Sequence, residues 1–338
     1  MKYKLILGTL CAVVASSAAA KASTLEDVKA RGILNCGVNT GLVGFAAPDA
    51  TGKWTGFDVS ICKAVAAAVL GDASKVKYVP TTGQTRLTAL ASGEIDLLSR
   101  NTTWTFSRDV DLKLTFAGTN FYDGQAFMVP KSASINSAKD LNGATICIQT
   151  GTTTELNLAE YAKLNGITYD SVPVESSAEG QQKYIAGACD VYTSDASDLA
   201  SVRSSFKNPD DHVILPEMIS KEPLGPIVRQ GDEQWADIVH WTLNALIAAE
   251  EFGVTKANVD EMATSSNNPE VKRILGAEGD LGKQFGLDSA WAKRAIAVDG
   301  NYGEIFEANL GEKTPIAMHR GPNALWNKGG LQYAQPFR

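Results

Sequence analysis

The sequence predicts an α/β protein made of two units, each a parallel sheet covered by helices. Three observations predict it. The alternation of strand-like and helix-like periods over residues 33–98 recurs over 144–193. The helical stretches are closed by glycine at Gly71 and Gly93. The chain of 338 residues, 44% apolar and 20% charged, is long enough for about two globular domains.

The elements follow in order. Residues 33–38 (ILNCGV) read as a short strand, and a loop containing Gly, Asn and Pro runs to Gly56. From Phe57 to Leu70 the apolar positions Phe57, Ile61, Ala64, Val65 and Ala68 recur at helical spacing. Residues 75–79 (KVKYV) alternate as a strand, 84–92 form a short helix, and 95–98 return to a strand. That order is a βαβαβ unit with parallel strands. In the second unit, 144–149 (ATICIQ) is a strand. Thr152 and Glu155 read as a capping box opening a helix through Leu164. Residues 169–174 are extended, 178–186 helical and 190–193 a strand. Residues 121–130 and 222–230 lie between the periodic segments as candidate crossovers. The remainder is helix-rich, and Trp235, Ile238, Val239, Thr242 and Leu246 form one apolar stripe that reads as core.

The N-terminus reads as an address. Lys2 and Lys4 precede an apolar run from Leu5 to Ala15, and small residues lead to the A-x-A site Ala20-Lys21-Ala22. A secretory signal peptide over 1–22 is expected, cleaved near Ala20 or Ala22. The apolar run is too short for a membrane anchor of about 20 residues. Cys11 sits inside that run, where no lipobox fits. Cleavage after Ala22 leaves 316 residues with 28 Lys+Arg against 38 Asp+Glu, a formal charge of −10. An acidic chain without a basic run argues against nucleic acid as a partner. Four cysteines remain: Cys36, Cys62, Cys147 and Cys189. An even number in an oxidising compartment suggests two disulfides, and the residues alone leave all three pairings open. Without a C-x-x-C, and with His212, His240 and His319 scattered, no metal site is expected, nor any cofactor. No nucleotide-binding, nucleophile-elbow or zinc-protease motif occurs.

The functional argument rests on loops at the carboxyl ends of strands, where open α/β sheets bind ligands. After the strand at 95–98 comes S-R-N-T-T-W-T-F-S-R-D, with three threonines, an asparagine and two arginines. The Arg108 guanidinium offers a rigid fork matched to a carboxylate; Arg100 reads as structural or exposed. The strand at 144–149 ends in Q-T-G-T-T-T-E, so several backbone N–H groups and the positive end of a helix dipole face outward. After the strand at 190–193, Asp195 supplies a carboxylate that suits an ammonium, although Asp there is also a common helix cap. Together these loops describe a zwitterion site, such as an α-amino acid needs.

The same residues resemble the polar-amino-acid-binding family of ABC-transporter solute receptors, family 3. Gly56-Phe57-Asp58-Val59 followed by Ile61 resembles its signature, with Ser60 in place of the usual acid. S-G-E-I-D at 92–96, T-x-x-x-x-R at 103–108, G-T-T-T-E at 151–155, C-D-V-Y-T-S-D at 189–195 and N-Y-G-E-I-F at 301–306 match in order and spacing. The segments at 100–109, 219–231 and 324–330 extend the likeness over essentially the whole exported chain.

The resemblance implies a periplasmic binding protein of type II, with two α/β lobes joined by a two-crossing hinge. One lobe would comprise 23–120 and 225–338, the other 121–224, with hinge crossings near 120–124 and 220–224. Arg108 would clamp the ligand carboxylate with Thr103 and the backbone of Thr153. The carbonyl of Asn101 and the carboxylate of Asp195 would take the α-ammonium. Asn39, Leu42, Gly83, Arg86 and Gln149 would lie near the ligand side chain. Leu42 and Gly83 stand where some relatives carry aromatics, which implies a roomier pocket. Pairing cysteines within each lobe implies Cys36–Cys62 and Cys147–Cys189. The implied partners are free L-amino acids and the membrane permease of an ABC importer, for a monomeric receptor without enzymatic activity. The competing expectation is a dehydratase-like enzyme on the same fold, which would need a general acid near a substrate ring, Glu155 or Asp195.

Overall fold

The computed structural model describes residues 23–338; the expected signal peptide and Cys11 lie outside them. Helix α1 (Thr24–Arg31) begins at a reciprocal cap, Ser23 accepting from the Glu26 N–H while the Glu26 carboxylate accepts from the Ser23 N–H. Strand β1 (Leu34–Asn39) follows, then a small ribbon of β2 (Ala47–Pro48) and β3 (Trp54–Thr55). Helix α2 (Phe57–Leu70), β4 (Val76–Thr81), α3 (Arg86–Ser92) and β5 (Leu97–Leu98) complete the first βαβαβ unit. After β6 (Leu114–Phe116), β7 (Phe121–Asp123) and β8 (Gln125–Pro130) lead to the second unit. That unit is β9 (Ala144–Gln149), α4 (Thr153–Asn165), β10 (Tyr169–Val174), α5 (Ser177–Ile185) and β11 (Val191–Asp195). Helix α6 (Ala196–Ser204), β12 (His212–Ile214), β13 (Glu222–Leu224) and β14 (Ile227–Arg229) bring the chain back. Helices α7 (Glu233–Glu251), α8 (Val259–Ser265), α9 (Pro269–Ile274), α10 (Leu281–Gln284), α11 (Trp291–Asp299) and α12 (Tyr302–Asn309) close the body.

Two five-stranded sheets result, ordered β4-β1-β5-β14-β6 and β10-β9-β11-β8-β12. In each, three neighbouring strands pair in parallel, as the sequence predicts, and the far edge strand, β6 or β12, runs in the same direction. The all-parallel expectation is corrected: β14 runs antiparallel to β5 and β6, and β8 antiparallel to β11 and β12. The cause is topological. A strand arriving from the other unit enters from the opposite end, without a helical crossover to reverse it. Strands β7 and β13 form a separate two-stranded ribbon between the two sheets.

Helix α2 matches its predicted span because its pattern is nearly continuous in small and aliphatic residues; 12 of its 14 residues are buried, against α7 and α11 among others. The stripe Trp235, Ile238, Val239, Thr242 and Leu246 on α7 is buried, as expected. The cysteines pair Cys36–Cys62, joining β1 to α2, and Cys147–Cys189, joining β9 to the turn before β11. The Thr152–Glu155 capping box is half formed. Thr152 accepts from the Glu155 N–H, but the Glu155 carboxylate takes the N–H of Gly151 instead of that of Thr152.

The C-terminal segment after α12 has little regular structure and crosses the ribbon. Asn323, buried, accepts from the Tyr122 N–H at 2.7 Å and donates to the Tyr122 carbonyl at 3.0 Å. Arg320 lies over the rings of Tyr302 and Phe306 and pairs with Glu250 at 3.0 Å.

Candidate functional site

The carboxyl ends of β5, β9 and β11 face each other across a cleft. Its walls meet around a small cavity bounded by Arg86, Arg100, Asn101, Thr103, Gln149, Thr152, Thr153, Thr154, Ser194 and Asp195. Six of the ten predicted site residues therefore meet around one cavity: Arg86, Asn101, Thr103, Gln149, Thr153 and Asp195. Arg108 stands immediately behind, its Nη1 donating to the Thr103 carbonyl at 2.8 Å. Asn39, at the end of β1, donates to the Asn101 side-chain oxygen at 3.0 Å. Gly83 lies on the seam between the lobes, where a Cβ would stand 2.7 Å from the carbonyl oxygen of Thr150. Leu42 packs into the large core cluster and does not line this cavity.

The first wall is held from below. Ser99 donates to the Asp58 carbonyl at 3.0 Å, and burial pushes the Asp58 carboxyl up to about 7, opposed by the Arg100 charge and the Asn101 N–H. Arg100 is 3% exposed, so the alternative of an exposed Arg100 is corrected and the structural one stands; its Nε donates to the Thr81 carbonyl at 3.3 Å. It stays inside because the acids Asp58 and Asp198 lie near it, and burial lowers its guanidinium to about 10. Arg86 donates to the Asn101 carbonyl and the Thr102 hydroxyl, while its Nε–H is buried without a partner. Burial first, then repulsion from Arg100 and Arg108, lowers the Arg86 guanidinium well below its ordinary value.

The second wall carries the opposite sign. Asp195 occupies the N-cap position of α6, yet its carboxylate makes no capping hydrogen bond. Burial, then the nearby charges of Asp123, Glu222 and Asp198, raises it well above the carboxylate range, with Arg86 opposing. Asp198 accepts from the Ser194 and Ser177 hydroxyls and is pushed up by burial. The hydroxyls of Thr103 and Thr153 face each other across the seam at 3.2 Å. A Ser201 hydroxyl donates to the Val43 carbonyl at 2.6 Å, so the lobes touch on the far side as well.

Sequence reasoning missed Arg100, Thr152, Thr154 and Ser194 as wall residues, and it missed Glu222. The last carried one signal, a carboxylate directly ahead of the uncharged run 223–228 (PLGPIV).

Two α/β lobes closing on a cleft of mixed charge, with strand ends on both sides, define a two-lobed solute receptor of the periplasmic-binding type. The chain belongs to the bacterial extracellular solute-binding proteins, family 3, which it matches over residues 34–257. It is 62% identical over 338 residues to the glutamate/glutamine/aspartate/asparagine-binding protein BztA of Rhodobacter capsulatus, covering all of both chains. It is 59% identical over 342 residues to the general L-amino acid-binding periplasmic protein AapJ of Rhizobium johnstonii, again covering all of both. Among solved structures it resembles an ABC transporter periplasmic binding protein from Brucella ovis with glutathione bound. That likeness has a TM-score of 0.91 at 57% identity, over 94% of this chain and 100% of the other. These relatives are named as binding proteins, not enzymes.

Proposed function

We propose that the protein captures L-amino acids between its lobes and delivers them, unchanged, to the permease of an ABC importer. The observation that carries this reading is the partner-free carboxylate of Asp195 facing the arginine-bearing wall across one cavity. In it, Arg108 and Thr103 take the α-carboxylate with the N-terminus of α4 at Thr153. Asp195 and the Asn101 carbonyl take the α-ammonium. Asn39, Leu42, Gly83, Arg86 and Gln149 surround the ligand side chain, with Leu42 acting through the loop it anchors. The unspent Nε–H of Arg86 supports ligands with a side-chain oxygen, acidic or amide, within a broad range. The names of the two relatives above are in keeping with that breadth. The lobes are taken as 23–120 with 225–338, and 121–224, hinged near 120–124 and 220–224. The receptor works as a monomer in the periplasm after cleavage near Ala20 or Ala22.

The test is calorimetry of the exported form with glutamate, glutamine, leucine and arginine. Truncating one partner of a buried charge pair costs roughly 2–5 kcal/mol, about 30-fold to several-thousand-fold in affinity. Arg108→Ala and Asp195→Ala are expected to weaken every ligand together by that order. Arg86→Ala is expected to reorder the ligands, with the acidic and amide ones losing most. Binding of glutamate and leucine by Arg108→Ala at wild-type strength would overturn the clamp.

A further inference from the structure

Glu222 is 1% exposed and sits on β13, in the ribbon between the lobes. Its strand is fastened to the first lobe by backbone bonds: the Trp104 N–H donates to the Pro223 carbonyl at 2.8 Å, and the Gly225 N–H to the Thr102 carbonyl at 3.2 Å. Its carboxylate reaches the other lobe. It accepts from the Thr153 hydroxyl at 2.9 Å and the Asn157 amide at 2.6 Å, both on α4. It also accepts from the Thr103 hydroxyl, on the first lobe, and from the Ser220 hydroxyl at 2.6 Å. A carboxylate offers about four acceptor sites, and four donors fill this one. Two of the four, Thr153 and Asn157, come from α4 on the other lobe.

From this geometry we infer that Glu222 is a positioning residue for ligand capture, a latch that favours the closed arrangement before any ligand is present. The inference rests on the reading of the cleft as the ligand site. A buried charge whose hydrogen bonds are complete only in the closed form makes opening cost the loss of two charge-assisted bonds. A group that shifts the open–closed balance without touching the ligand changes the apparent affinity for every ligand by one common factor. Glu222 thereby sets affinity, while Arg86 and its neighbours set preference.

Glu222→Gln keeps the volume and replaces an acceptor oxygen with an amide that cannot accept. Asn157→Ala removes a donor on α4 at a residue outside the cavity wall, and it stands in should Glu222→Gln fail to fold. Small-angle scattering of the ligand-free protein and calorimetry with glutamate, glutamine and leucine are the readouts. The expected result is a larger ligand-free radius of gyration in both variants. All three ligands should weaken by a shared factor, roughly tenfold, with their order kept. The double variant should lose less than the product of the single losses, because both changes break one contact. A changed ligand order in Glu222→Gln would overturn the latch and make Glu222 a direct ligand contact. Unchanged dimensions and affinities in both variants would also overturn it. Should the wild type bind no amino acid, the reading of the cleft fails instead, and the scattering comparison still decides the latch.

Discussion

Asp195 illustrates what one side chain's environment does. A free aspartate at a helix start ordinarily caps that helix; here the carboxylate is turned from α6 toward the cleft, among Asp123, Glu222 and Asp198. Burial and those like charges hold its proton, so the ligand-free site ionises at higher pH than an ordinary carboxyl. An arriving ammonium favours the ionised form. Binding is therefore expected to release a proton, and affinity to rise with pH through the range in which the ligand-free Asp195 titrates. Calorimetry in two buffers of different ionisation enthalpy reads that release, and Asp195→Asn should abolish it. Proton uptake on binding, or a release unchanged in Asp195→Asn, would refute the assignment. Most of the cavity wall was legible in the sequence, because Asn101, Thr103, Gln149, Thr153 and Asp195 follow strand ends. Glu222 was not legible. It reaches the site from a three-residue strand, and nothing in its own segment says which side chains will meet it.

Elements with a long period were read to within a residue or two; short or paired ones were not. Helix α2 and strands β9 and β10 have their predicted bounds, since each carries its signal within itself. Strands β7, β13 and β14 have only three residues apiece, too few for a period, and their direction is fixed by distant partners. The same distinction applies to the cross-links. Cys147–Cys189 closes a separation of 42 residues and Cys36–Cys62 one of 26. In the chain-entropy account these stabilise by roughly 4 and 3.5 kcal/mol respectively. The Cys147→Ser/Cys189→Ser variant is expected to lose about that amount in urea unfolding, with the loss confined to the transition of the second lobe if the lobes unfold separately. A loss under about 1 kcal/mol would show that the bridge adds little beyond the packing around it.

For the molecule as a whole, the decisive property is that its two halves are joined by thin connections while their facing walls are oppositely equipped. Each lobe has its own sheet, and the cleft residues come from both. A ligand touching both walls has differential affinity for the closed arrangement, which is what drives closure. Saturating amino acid is expected to lower the radius of gyration in small-angle scattering, most visibly in Glu222→Gln. Dimensions that do not change with ligand in either protein would contradict a closing receptor. The C-terminal segment has a consequence of another kind. Pro223 stands opposite Tyr122 in the β7–β13 ribbon, so Tyr122 turns its N–H and carbonyl outward, where Asn323 receives both. A bare strand edge is a template for pairing with a second chain, and proteins guard such edges. Here a single side-chain amide takes both outward-facing backbone groups of Tyr122 without adding a full third strand to the ribbon. The tail thus covers that edge of the β7–β13 ribbon, and its removal is expected to leave the edge open to pairing with a second chain.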